Sequence, residues 1–290
     1  MVKPIYYLFR LGGLVIPKVP PRLGYTACRL LAGLFYYFNS TGRVNIERNL
    51  RYILGDQTSR REVTRRSRAT FDNILYNYFD LFRLPYLDDE AVRRLVSLEG
   101  WSHVEAALAE RHGLVMVSTH LGNIEMILHA MLLRGVSITI PVERLAPPEL
   151  FDYVSALRMS KGLKLVPIDG PLVALMRTLK QGGIVGLAGD RDITQTGQVV
   201  SFFGRPAHLP DGHVRLALKT KAPVVVGFSR RNPDHTYSAR FLPPFHLPSE
   251  GDEVERLQVG MNFIVREMEQ AIRQDPEQWT VMVSIWADQV

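Results

Sequence analysis

This sequence predicts an α/β domain with a largely parallel sheet, preceded by a helical segment covering roughly residues 1–90, and three observations carry that expectation. From about residue 95 onward, short β-branched runs alternate with stretches of helical length and period. Gly and Pro stand where such elements would stop or start. The chain has 290 residues, 46% of them hydrophobic, with no repeat or low-complexity tract, so one large core with an appendage is within reach.

The elements can be justified in order. Residues 5–16 and 23–38 are apolar and aromatic, with Pro17, Pro20 and Pro21 between them. Each is shorter than the roughly 20 residues a spanning helix needs, and each contains an arginine. Neither has a small-residue cleavage site, so a removable signal peptide is not indicated. A helical hairpin lying in the membrane interface is the expectation, with ordinary core helices as the alternative. In the next stretch, Phe71, Ile74, Leu75, Tyr78 and Phe82 recur at three- and four-residue steps, which predicts an amphipathic helix. Strands are then expected at 114–118, 136–142, 163–168, 184–189, 199–204, 222–228 and 237–244, and a long helix over about 252–274. Domain bounds follow as 1–90 for the helical cap and 91–290 for the α/β core.

Charge separates the two parts. Residues 1–70 hold 13 Lys/Arg, from Lys3 to Arg68, against Glu47, Asp56 and Glu62; that is +10, which leaves −4 of the total +6 on the remaining residues. A basic end on a mildly acidic body seeks a polyanion. The aromatic-apolar hairpin beside it favours an anionic membrane over nucleic acid. The single Cys28 excludes an internal disulfide and a cysteine metal cluster, fits a reducing compartment, and reads as a small packed residue. No H-E-x-x-H, G-x-G-x-x-G or P-loop occurs, and the other seven histidines lack ligand spacing, so neither a metal nor a cofactor is expected.

In open α/β sheets the ligand lies beyond the carboxyl ends of the strands. The run at 114–118 is followed by Thr119-His120-Leu121-Gly122-Asn123-Ile124-Glu125, that at 136–142 by Glu143-Arg144, and that at 184–189 by Asp190-Arg191-Asp192. One sheet edge therefore receives a histidine, several carboxylates and two arginines. Asn123 suits a helix cap, Glu125 the first turn, and a carboxylate near His120 would orient it as a base. Free amides around 121–124 could face an oxyanion. The His120–Glu125 spacing alone recurs by chance; the convergence is the stronger signal.

The run T-H-L-G-N-I-E (119–125) resembles the H-x4-D/E motif of the lysophospholipid acyltransferase superfamily. D-R-D followed by F-F-G-x-P (Asp190 to Pro206) is similar to the second block of the bacterial lipid A biosynthesis acyltransferases. F-R-L-P (82–85) and V-E-R-L-A-P-P-E-L-F (142–151) resemble the phosphatidylinositol mannoside acyltransferases. The likeness runs over about residues 40–285. It implies an αβα sandwich peripheral on the cytoplasmic face of the cell membrane, an acyl-CoA or acyl-carrier-protein donor, and a glycolipid hydroxyl as acceptor. It implies that His120 deprotonates that hydroxyl while Glu125, Glu143 or Asp190 orients it. Arg158 and Arg191, with Asp192 beside them, become candidates for gripping a headgroup, and the 184–189 strand with Phe202 and Phe203 candidates for lining an acyl groove. A mannoside-type acceptor is favoured over a lipid A precursor; a thioester hydrolase and a non-enzymatic binding module are the competing classes.

Overall fold

Proline and capping side chains divide the N-terminal third into helices. The computed structural model describes residues 4–287, so Lys3 lies outside the described residues. Helix α1 (Pro4–Val15) is followed, across the expected proline break, by α2 (Pro21–Phe38), which has a proline at its first position. The Asn39 side chain accepts from Gly42 N and starts α3 (Ser40–Leu54), and Ser59 does the same for α4 (Arg60–Arg83) through Glu62 N. Helix α4 lies against both α2 and α3, burying Phe71, Ile74 and Phe79. Cys28 sits in the α2–α4 seam with Tyr25 and Phe79, and burial pushes its thiol up to about 11. A short α5 (Asp89–Leu95) leads into the sheet.

The sheet alternates with helices as expected: β1 (Val96–Glu99), α6 (Trp101–Ala109), β2 (Leu114–Ser118), α7 (Ile124–Leu132), β3 (Ile138–Val142), α8 (Pro148–Met159), β4 (Lys164–Pro167), α9 (Val173–Lys180) and β5 (Ile184–Ala188). After β6 (Gln198–Phe202) and β7 (Arg205–Leu209) come α10 (Gly212–Thr220), β8 (Val224–Arg231), β9 (Tyr237–Phe241) and α11 (Glu253–Gln274). Seven strands pair in the order β1-β9-β8-β2-β5-β3-β4, parallel throughout except β8 with β9. Successive residues of β2 point to opposite faces: Val115 and Val117 pack toward α9, α10 and α11, Leu114 and Met116 toward α6 and α7. This is an αβα sandwich, and burial on both faces explains why LVMVS reads as a continuous apolar run.

One expectation is corrected, and one strand was missed. The 199–204 run is not in the main sheet; β6 pairs antiparallel with β7 in a separate hairpin covering α11 and the C-terminal tryptophans. And β1, half of whose residues are polar or exposed, has no apolar signature, yet it forms the edge parallel to β9.

A buried ion pair fastens the helical third to the sheet. Asp80 on α4 and Arg231 at the end of β8 meet at 2.6 Å, both about 4% exposed. The Asp80 carboxylate also accepts from Tyr25 (2.6 Å), Tyr237 (2.6 Å) and Asn123 (2.9 Å), so its lone pairs are well used. The guanidinium adds Asn77 Oδ1 at 2.9 Å and Tyr237 at 2.9 Å. The pair is satisfied only as a set, since truncating one member strands the other in a dry interior. Arg231→Met is expected to destabilise the fold by about 3–5 kcal/mol in urea melts, and a loss under about 1 kcal/mol would show that water reaches Asp80.

Candidate active site

The turn leaving β2 is held so tightly that its residues have few alternatives. Gly122 takes φ +64, and a Cβ there would lie 2.6 Å from Ser229 O, so the turn requires glycine. Asn123 accepts from Met126 N at 3.3 Å, capping α7, while its amide donates to Asp80. Asn77 donates to Gly122 O at 2.8 Å. On the other side, Gly122 N donates to Gln278 O and Thr280 N to His120 O, so the C-terminal segment is sewn to the turn. The Gly122 amide is thereby spent, which removes it from the oxyanion role expected of residues 121–124.

His120 projects from this turn into a cavity of about 780 Å³, its side chain 38% exposed. Strands β2 and β5 are neighbours with Ser118 opposite Ala188, so two residues further on His120 and Asp190 emerge side by side. Asp190, fully buried, meets His120 Nδ1 at 2.8 Å, and accepts from His120 N at 2.7 Å and Trp279 Nε1 at 2.7 Å. Among the described residues no hydroxyl or thiol is hydrogen-bonded to the imidazole; the Ser118 hydroxyl points back to Thr119 O. With Nδ1–H directed at Asp190, Nε2 is left as an acceptor facing the cavity.

The neighbouring carboxylates are otherwise engaged. Glu125 pairs with Arg158 at 2.6 Å, joining α7 to α8, and Glu143 pairs with Arg191 at 2.8 Å, joining the loops after β3 and β5. Of the three candidates, only Asp190 lies on the imidazole. Both arginines line the cavity, and among the described residues buried Arg158 Nε has no hydrogen-bond partner. Asp192 also lines it, but its carboxylate closes its own loop through Gly197 N and Thr194. Phe202 and Phe203 do not: Phe202 is fully buried against Trp279 and Trp286, and Phe203 N donates to Glu269. They belong to the hairpin that left the sheet, which is why the groove reading fails for them. The apolar wall comes instead from Met116, Leu128, Ile140, Phe151 and Val154. Gly186 on the same wall packs closely on Ile140, since a Cβ there would lie 2.9 Å from Ile140 Cγ2. Sequence reasoning missed Trp279; a lone tryptophan in W-T-V-M-V-S carries no pattern that marks it.

Comparison with known proteins was made on this background. The family model described as bacterial lipid A biosynthesis acyltransferase matches residues 1–287. A Mycobacterium tuberculosis protein named phosphatidylinositol mannoside acyltransferase is 34% identical over 149 residues, 49% of this chain and 47% of that protein. One of the same name from Mycolicibacterium smegmatis is 27% identical over 197 residues, 66% of this chain and 64% of that protein. The matched stretch thus spans about half the length of the first relative and under two thirds of the second. The crystal structure of a 1-acyl-sn-glycerophosphate acyltransferase, PlsC, from Thermotoga maritima matches over 85% of this chain and 97% of that one, with 16% identity and a TM-score of 0.38.

The pair's electrostatics set its pH behaviour. The Asp190 charge and hydrogen bond hold the His120 imidazole above the ordinary histidine value, against burial and the charges of Arg191 and Arg158. Burial alone would raise Asp190; the His120 charge and the donors from His120 and Trp279 bring it below the ordinary aspartate value. The stabilisation is full between those ordinary values. It fades as pH rises through the raised His120 value, and again as pH falls through the lowered Asp190 value. NMR titration of His120 should therefore give a midpoint above 6.5 in the wild type and a lower one in Asp190→Asn. A wild-type midpoint below 6.5 would contradict the pairing.

Proposed function

The chain belongs to the bacterial lipid A biosynthesis acyltransferase family, and from that premise we propose that it moves a fatty acyl chain from a thioester donor to a hydroxyl of a membrane glycolipid. The observation that carries this reading is the His120–Asp190 pair at the mouth of a largely apolar cavity. Nε2 takes the proton of the acceptor hydroxyl as its oxygen attacks the thioester carbonyl. Asp190 keeps the proton on Nδ1 and steadies the imidazolium. Collapse of the tetrahedral intermediate breaks the carbon–sulfur bond, and Nε2–H returns the proton to the departing thiolate. Direct attack suits a histidine with no hydroxyl nucleophile on it. The wall of Met116, Leu128, Ile140, Phe151 and Val154 takes the acyl chain, and Arg158 and Arg191 face the acceptor headgroup.

The donor is acyl-CoA or acyl-carrier protein. A phosphatidylinositol mannoside-type acceptor is favoured by the names of the mycobacterial relatives; a lipid A precursor is the alternative. His120→Ala should cut acceptor-dependent thiol release from palmitoyl-CoA by ~10²–10⁴-fold. Release that ignores mannosylated phosphatidylinositol would make the protein a thioester hydrolase, and activity retained in the variant would remove His120 as the base.

The N-terminal hairpin supplies the membrane contact in this reading. No helix among the described residues is long and apolar enough to cross a bilayer. Yet Leu8, Leu11 and Leu14 on α1, and Leu30, Leu34 and Phe38 on α2, are more than half exposed. Such a face is suited to lying in the interface on the cytoplasmic side, with arginines at headgroup level. Leu30→Glu with Leu34→Glu should weaken sedimentation with anionic vesicles at least about tenfold. Unchanged sedimentation would place the contact elsewhere.

A further inference from the structure

A second cavity of about 510 Å³ lies on the far side of α7 and shares no lining residue with the His120 cavity. One face of α2 contributes Arg22, Tyr25, Thr26 and Arg29; one face of α4 contributes Tyr76, Asp80 and Arg83. The turn between β8 and β9 closes it with Asp234 and His235, and the start of β9 with Tyr237. The His235 ring stacks on Tyr25 at 3.7 Å and 6°, so this wall is rigid and aromatic.

Its charge is one-sided. Among the described residues, none of the ion pairs involves Arg22, Arg29 or Arg83. Arg83 lies 5.1 Å over the Phe79 ring. Asp80, the carboxylate in the floor, is already neutralised by Arg231. Asp234 at the rim spends itself on the Thr236 amide and hydroxyl. Asp72 feels Arg29, but burial pushes its carboxyl up to about 6, and it makes no ion pair with the arginine. Three arginines, whose guanidinium forks match phosphate oxygens, thus line one recess, above a floor where the Tyr25 and Tyr237 hydroxyls donate to Asp80. Leu23 and Leu30, 65% and 72% exposed, follow Arg22 and Arg29 on α2 and lie about 100° further round the helix.

We propose that this recess is a second anion site, distinct from the His120 cavity, that holds a phosphate-bearing lipid headgroup while the lipid's chains lie along Leu23 and Leu30. It rests on the membrane placement argued above and is independent of acyl transfer. Occupancy has a route to the active site, because the Asp80 carboxylate in its floor also fixes Asn123 at the start of α7.

The test is sedimentation of the full chain with phosphatidylcholine vesicles carrying phosphatidic acid, against vesicles given equal charge by oleate. The wild type should prefer the phosphate vesicles. Arg22→Ala with Arg29→Ala and Arg83→Ala should lose at least about tenfold in that binding. Thr26→Trp, which fills the recess and keeps every charge, should lose the preference as well. Arg60→Ala with Arg61→Ala, at the other end of α4, should keep it. If Thr26→Trp proves unfolded by circular dichroism, Arg29→Lys replaces it, and the lost fork should again abolish the preference. A wild type that ignores vesicles yet binds inorganic phosphate in calorimetry, sensitively to Thr26→Trp, would assign the site to free phosphate and sink the membrane placement alone. Equal binding to both vesicle types, with the recess variants unchanged and no phosphate binding, overturns the proposal.

Discussion

The buried carboxylate of Asp190 is the constraint on which the rest of this architecture depends. A carboxylate with no exposure is tolerable only when donors surround it, and here they come from two distant segments. His120 gives its amide and its ring, and Trp279, from the segment beyond the last long helix, gives its indole. None of these can relax without stranding a charge. The sandwich must therefore place β2 beside β5, keep the C-terminal segment across the turn, and present the imidazole in one orientation. Rigidity at the site follows from the cost of leaving Asp190 unsatisfied.

The same logic operates one layer out. Asp80 collects Tyr25, Tyr237, Asn123 and Arg231, joining the α2–α4 helices, the β8–β9 pair and the start of α7. The T-H-L-G-N turn thus hangs between two buried carboxylates, one on each side. The C-terminal segment completes the frame: Trp286 Nε1 donates to Asn49 on α3, and Asn49 donates to Val281 O. Helical third and sheet are so interlocked that the boundary near residue 90 marks a change of secondary structure, and hydrogen bonds cross it throughout.

How much of this the sequence disclosed follows from the physics of each signal. Alternating apolar runs and helical periods revealed β2, β3 and β5, because parallel strands buried inside the sandwich are largely apolar. Strand β4, at the sheet edge and only half-buried, was legible through its Leu-Val pair between two helical stretches. The strand-end rule picked out His120, Glu125, Glu143, Asp190 and Arg191, while Arg158, on α8, came from the family resemblance. Three carboxylates could not be ranked, because the pairing depends on which strands are neighbours. Glu125 is close in sequence, yet α7 turns it toward Arg158; Asp190 is 70 residues away and arrives through the β2–β5 register. Phe202 and Phe203 misled for a related reason: an apolar β-run does not say which sheet it joins. The Asp80–Arg231 pair was invisible, since a lone charged residue on a helix or at a strand end ordinarily faces water.

Charge gives the last step of this synthesis. The +10 of the first 70 residues suggests a diffuse basic face, but the structure uses much of it internally. Arg65 and Arg66 grip Glu62, and Arg66 also reaches Glu277 in the C-terminal segment. Arg43 and Arg68 lie over the Tyr36 ring at 5.2 and 5.3 Å, and Arg10 over Tyr153 at 5.2 Å. Arg22 and Arg29 are not so engaged, and they sit one helical face apart from the exposed leucines of α2. An evenly spread charge would attract any polyanion over a Debye length and choose none. Charge gathered at a recess beside an apolar stripe meets a phosphate and a hydrocarbon in the order a lipid presents them. Net charge points to one end of the chain, and the proposed recess narrows that reading from a surface to a place.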